Sequence, residues 1–239
     1  MKLPELFHPT TDVIVPSTQK TIKMRPMLVK EEKILLMAKM SDTGAEIYNA
    51  VKQVVQNCIV NADTNVDELA MFDLDYLFLR LRAISISDKI KLTYIDNDDK
   101  KERTFDIDLN KIEVDFPEGI DTKIELGPDE GFLLQYPKAA IYNTETFRKE
   151  DITGLDLMDE LLRGSLVSYF EGDKVYNFKD NTIDEIKEFI NNLDIKTYNK
   201  LNDWVNNLPS IKHVISYTND NGVKREIVLN TLNDFFTLV

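Results

Sequence analysis

The side chains that could do chemistry in this chain are few and poorly placed for it. Two histidines, His8 and His213, and one cysteine, Cys58, are the base and nucleophile candidates among 239 residues. Nucleophilic catalysis needs a serine or cysteine activated by a neighbouring base. Neither histidine has a Gly-x-Ser-x-Gly or cysteine signature nearby. His8 lies in a proline-flanked arm and His213 opens a strand-like run, positions that suit structural roles. Cys58 falls on an apolar helical face, where a small core side chain is commoner than a nucleophile. The segment "DNDDKKERTFDI" (Asp96–Ile107) begins like a calcium loop, with Asp at its first and third positions. Lys100 at the fifth position, Lys101 in place of the turn glycine and Ile107 in place of the bidentate glutamate break that pattern. A solvated hairpin turn is expected there instead. No carboxylate pair stands out for glycoside cleavage among 42 acidic residues, and the eight glycines are too scattered for a phosphate loop. No catalytic residue, cofactor or metal is expected.

Composition narrows the classes further. An apolar content of 43% and an aromatic content of 9% are enough for a sizeable core. A single cysteine excludes an intramolecular disulfide and any multi-cysteine zinc site, as a reducing cytoplasm would permit. The start, "MKLPELFHPT", has no apolar run before its prolines and does not read as a secretory signal. No run of ~18 apolar residues is present to cross a membrane. The net charge of −13 argues against nucleic-acid binding, which needs a basic surface. That charge is unevenly placed. Ser17–Lys39 holds six basic and two acidic residues, a net of +4, and Asp96–Glu130 holds thirteen acidic and five basic, a net of −8. Such asymmetry either steers partners of opposite sign, other copies of this chain included, or marks two solvated faces, the commoner case.

Periodicity supplies the elements that must position these residues. "TDVIVPSTQKTIKMRP" reads as two strands around a Pro-Ser-Thr-Gln turn, with Val13, Val15, Ile22 and Met24 on one side and Pro26 as the stop. "VKEEKILLMAKM" has helical spacing at Leu28, Ile34, Leu35 and Ala38. Gly44 separates it from a helix lined by Tyr48, Val51, Val54, Val55, Cys58 and Ile59. In "NVDELAMFDLDYLFLRLRAISIS", Leu74, Leu77, Phe78 and Leu81 share a helical face and Asp73 is the expected N-cap. Arg80 and Arg82 within that run should either reach out to water or meet carboxylates, with an internal ion pair expected over an exposed binding role. Strand-like "IKLTYI", "RTFDIDL", "TKIELG" and "GFLLQYP" follow. After them come helical "LDLMDELLRG", the hairpin "LVSYFEGDKVYNF" with Gly172 and Asp173 at its turn, and helices "TIDEIKEFINN" and "DIKTYNKLNDWVNN" before Pro209.

The fold class expected is α+β: an N-terminal β-hairpin with helices, a central β-rich part, and C-terminal helices with a closing β-hairpin. Val214–Phe236 can be laid against Lys91–Val114, each with an apolar–Tyr pair, an Asn/Asp turn and an alternating strand after a helix. This suggests a duplicated helix–hairpin module. Residues 1–118 would hold the first such unit and 119–239 the second, as two domains or as one.

Three blocks of the sequence also resemble the baseplate protein family of T-even-like contractile-tailed bacteriophages. "LPELFHPTTDVIVPSTQKTIKMRPMLVKEEKILLMAK" is similar to that family's start, where a Leu-Pro arm and an "LPSTGK"-like turn lead to an "RPFLVKEEKILL"-like helix. Here Val15 stands for the Leu, Gln19 for the Gly and Met27 for the Phe. "FDLDYLFLRLRAIS" (Phe72–Ser85) resembles the second block, and "IDEIKEFINNL", "LPSIKHVISY" and "LNTLNDFF" resemble the third. Ile112–Gly164 is the vaguer part. Cys-x-x-Cys at the hairpin tips of some members suggests zinc-ribbon-like turns, but the tips here read "YIDNDDKKER" and "YTNDNGVKRE", so zinc is not expected.

The resemblance implies non-catalytic work in the central hub of the tail baseplate, as a structural subunit or an assembly factor. Partners would be other baseplate hub or tail proteins, with self-association possible in principle and no nucleic acid or membrane involved. The setting would be the infected host's cytoplasm and then the virion tail. Candidate contacts are Lys20, Lys23, Arg25 and Lys30 on the basic N-terminal surface and Phe235 and Phe236 at the C-terminus, the aromatics having core packing as their alternative. A transient assembly chaperone, absent from the finished particle, is a second reading. A tail-associated cell-wall hydrolase is a third, and it would need a cleft with one carboxylate of raised pKa opposite another.

Overall fold

Alternation in Thr11–Ile14 (β1) and Thr21–Met24 (β2) buries Val13, Ile22 and Met24 and exposes the residues between them. The two strands therefore pair antiparallel, with Val13 opposite Ile22. The computed structural model describes residues 4, 6–41, 44–60, 63–149 and 151–235. Helices α1 (Val29–Ser41), α2 (Gly44–Cys58) and α3 (Met71–Ser85) follow the hairpin. A second hairpin, β3 (Lys89–Ile95) and β4 (Glu102–Asp108), leads to β5 (Glu113–Asp115), β6 (Lys123–Gly127) and β7 (Glu130–Leu134). Then come α4 (Glu145–Arg148), α5 (Gly154–Ser165), β8 (Leu166–Glu171), β9 (Lys174–Asn177), α6 (Ile183–Asn191) and α7 (Ile195–Asn206). The chain closes with β10 (Ser210–Thr218), β11 (Lys224–Leu229) and α8 (Leu232–Phe235). The architecture is α+β, with small antiparallel sheets ordered β6-β7-β8-β9 and β11-β10-β5 beside the two separate hairpins. Among the described residues no helix is long and apolar enough to cross a membrane.

Two apolar cores hold these elements. The second contains Phe132, Leu134, Leu162, Leu166, Phe178, Ile186, Ile190, Leu201 and Trp204, so it joins the four-stranded sheet to α5, α6 and α7. The first draws on both ends of the chain: Val13 and Met24 from the N-terminal hairpin, Val51 to Cys58 of α2, the α3 face, and Ile211, Ile215, Leu229, Leu232 and Phe235. β10 carries the chain end back by pairing with β5, Ile211 opposite Val114. Residues on both sides of position 118 thus build the first core.

α3 runs through that core. Leu74, Leu77, Phe78 and Leu81 are all buried, as their spacing predicts. Asp73 is not the N-cap. Ala70 takes that position, and Asp73 lies three residues in, accepting from the N–H of Ala70 at 3.1 Å and of Ser17 at 2.8 Å. A buried carboxylate thereby ties the first turn of α3 to the β1–β2 turn. The arginines also differ from expectation, because carbonyl oxygens replace carboxylates as their partners. Arg80 donates to the carbonyls of Leu109 at 2.7 Å and Ile112 at 2.6 Å and stacks over Tyr76, while Arg82 donates to the carbonyl of Phe235 at 2.9 Å. Carbonyls in the turn after β4 and at the end of α8 need donors, and a guanidinium supplies them without burying a second charge.

The two hairpins suggested as a repeat meet at their tips. In each, the first turn residue receives a backbone bond from across the loop, Asp96 from Lys100 and Asn219 from Gly222. In each, its side chain also accepts from the N–H two residues on, Asp98 and Asn221. The left-handed positions correspond as well, Lys100 at φ 58° and Gly222 at φ 78°. Across the contact, Arg103 binds Asp99 of its own hairpin and Asp220 of the other at 3.0 Å. Tyr217 and Asn219 donate to Asp96, and Asn221 donates to Asp98 at 3.0 Å. The turn expected to be solvated is a polar clasp, with Asp96 and Asn219 buried.

Candidate partner-binding surface

The basic N-terminal segment is organised by one ion pair. Pro26 ends β2, and the chain must turn at once to enter α1. Arg25 and Glu31 hold that turn. The guanidinium donates to Glu31 at 3.0 Å, to the carbonyls of Pro26 and Asn57 at 2.9 and 2.8 Å, and to Cys58 Sγ at 3.5 Å. Glu31 has no exposed surface and also accepts from the N–H of Leu28 at 2.9 Å. Burial raises the Glu31 carboxyl, but the bonds from Arg25 and Leu28 outweigh it and hold the group below its ordinary value. Burial pushes the Cys58 thiol up to about 11, so this cysteine is a neutral core side chain at pH 7.

Fixing α1 in this way gives it two apolar faces. Ile34, Leu35 and Ala38 turn inward and are half-buried, Ile34 and Leu35 against the first core. On the other side Val29 (66% exposed), Leu36 (51%), Met37 (63%) and Met40 (86%) face outward, with Lys30, Lys33 and Lys39 exposed among them. An exposed apolar stripe of this kind is the usual mark of a contact surface. Lys20 and Lys30 are exposed, with Lys30 3.5 Å from Glu31, and Lys23 is exposed and 2.8 Å from Asp12.

Two of the six candidate contacts are turned inward. Arg25 is half-buried with its guanidinium engaged by Glu31 and backbone carbonyls, and Phe235 is 1% exposed in the first core, where α8 closes against Arg82. Phe236 lies outside the described residues. Sequence reasoning missed Val29, Leu36, Met37 and Met40. Their signal was available, since positions 29, 33, 36 and 40 repeat at helical spacing opposite the stripe read as inward.

The description "T4 bacteriophage base plate protein" belongs to a family model that matches residues 8–237, nearly the whole chain. The chain belongs to this family. No curated protein and no solved structure matches it. In this baseplate protein the family-like opening block can now be read physically. Arg25 and Glu31 are its folding determinants, and the outer side of α1 is its exposed product.

The turn within that block departs from the family-like pattern at Gln19, which adopts φ 56° where the resemblance has glycine. A left-handed conformation costs an L-residue about 1–2 kcal/mol, partly offset here by the bond from Gln19 Nε2 to the Pro16 carbonyl at 2.8 Å. Glycine removes the strain and adds freedom to the unfolded chain. Gln19→Gly is expected to stabilise by about 0.5 kcal/mol and Gln19→Val to destabilise by about 1 kcal/mol, both readable by denaturant titration.

Proposed function

We propose that this baseplate protein is a non-enzymatic component or assembly factor of the baseplate hub, acting through protein–protein contacts while the contractile tail is built. The observation that carries this reading is the outer side of α1, a lysine-flanked apolar stripe at the end of the family's opening block. Apolar centres with charged rims are the usual anatomy of such contacts. Lys20, Lys23 and Lys30 extend the rim and act in approach and orientation more than in affinity. The work is done in the infected host's cytoplasm, and the chain then remains in the tail or leaves it.

The candidate chemistry favours the same reading. Cys58 is enclosed by Arg25 and the core. Asp75, on α3, has a pKa raised to about 7, as an acid catalyst would, but burial is the cause and its Oδ1 is closed to solvent. Mass spectrometry of purified virions and of tail intermediates tests the assignment. Peptides in both identify a subunit, and peptides in intermediates alone identify an assembly factor. Absence from both, or lysis of cell walls by the purified chain, would overturn the proposal.

A further inference from the structure

We infer that the outer side of α1 pairs with the same side of a second copy of this chain, as an antiparallel helix pair about a twofold axis. The inference rests on the functional reading of that face and names its occupant. The argument is one of self-complementarity. Val29, Lys33, Leu36 and Met40 form a single stripe, and all four are exposed. Laid antiparallel on itself, the stripe sets Val29 against Met40 of the second copy and Leu36 beside the aliphatic stem of Lys33, whose ammonium reaches outward to water. Glu32 and Lys39 are exposed and seven residues apart, so they lie on the same flank of the helix to within ~20°. In a twofold antiparallel pair that flank meets its own copy. Each Glu32 then faces the other copy's Lys39, giving two reciprocal ion pairs. A parallel pair would instead set this flank against the opposite one, Glu32 beside Lys30 and Lys39 beside Met37, leaving Lys39 without a carboxylate. On the opposite flank Lys30 lies over Met37 of the second copy.

The stripe is short, ~17 Å from Val29 to Met40 at the helical rise. It buries less than the ~800 Å² per partner of a standard interface, so the pair is weak and reversible. Such a pair joins and separates with local concentration, as assembly intermediates accumulate.

The full chain carrying Val29→Cys is mixed with the full chain carrying Met40→Cys and oxidised, native Cys58 being fully buried. The expected result is a disulfide-linked heterodimer in the mixture and little product from either chain alone. Adding Lys39→Glu should lower its yield roughly fivefold, and Glu32→Lys with Lys39→Glu together should restore it. Equal yields from each chain alone, or no rescue by the double exchange, would overturn the pairing. Sedimentation at rising concentration supplies a second measurement, and a strict monomer at ~1 mM, the weak end of specific association, contradicts it. Uptake of the same variants into tail intermediates is scored separately. A monomer taken up normally removes the dimer and leaves the hub assignment standing.

Discussion

Glu31→Ala is expected to destabilise the protein by about 3–5 kcal/mol, the penalty for leaving a buried charge without its partner. Three groups lose their acceptor together: both terminal nitrogens of Arg25 and the N–H of Leu28 that opens α1. The guanidinium cannot escape easily, because the Asn57 and Pro26 carbonyls and Cys58 surround it. For a chain of this size the midpoint of thermal unfolding should fall by roughly 10 °C. Arg25→Met with Glu31→Leu removes both charges and should be less destabilising than either charge removed alone. A double variant as unstable as the sum of the singles would mean that the pair does not act as a unit. This expectation also explains why the opening block is so recognisable. Its charged residues set the entry angle of α1, which no apolar stripe could do by itself.

Asp75 should make stability fall as pH rises from about 4 to about 7. Its Oδ1 is buried with no hydrogen-bond partner among the described residues, and burial moves its pKa from 3.8 to about 7. The folded state holds this proton more tightly than the unfolded state does. The contribution is therefore complete below about pH 4, declines between pH 4 and 7, and is gone above. The titratable groups that act on it are themselves acids: the Tyr48 and Tyr142 hydroxyls, whose rings stack at 4.2 Å, interact with Asp75, and Asp234 interacts with Tyr48. Among the described residues no cation offsets the effect of burial. The paired carboxylates Asp98, Asp99 and Asp220 have depressed pKa values and act in the opposite sense, losing stability only as pH falls into the acid range. The difference between wild type and Asp75→Asn isolates the Asp75 effect. Wild type should lose roughly 2–4 kcal/mol relative to that variant between pH 4 and pH 8. Asp75→Leu should exceed wild type in stability at pH 8. Parallel pH profiles for wild type and Asp75→Asn would show that Asp75 is ionised throughout.

Most of the fold was legible because burial follows period. Val13 and Met24 alternate at two, and Leu74, Leu77 and Leu81 recur at helical spacing, so strands and helices could be placed from apolar residues alone. The polar residues of the interior were harder to read. Asp73, Arg80 and Arg82 have partners at sequence distances of 56, 29 and 153 residues, which no local pattern reports. Asp96 and Asn219 looked like solvated turn residues, and only the meeting of two hairpins over 120 residues apart buries them. At the candidate surface Lys20, Lys23 and Lys30 are exposed as their charge suggests, whereas Arg25 and Phe235 are turned inward. Arg25 has the same charge as Lys30, but its planar guanidinium can satisfy several internal acceptors at once, and it is drawn inward. The outer stripe of α1 was overlooked because an inward stripe had already accounted for the helix.

The central claim is that the outer side of α1 brings this protein into the assembling baseplate. Its most direct test is the amount of a Leu36→Lys/Met40→Lys chain recovered with tail intermediates from infected cells, relative to wild type expressed at the same level. Both positions are exposed, so the variant should fold with an unchanged unfolding midpoint. The account predicts that recovery falls at least tenfold, because two lysines placed in an apolar contact remove more than about 1.4 kcal/mol. Recovery equal to wild type, from a variant that is folded and soluble, would contradict it.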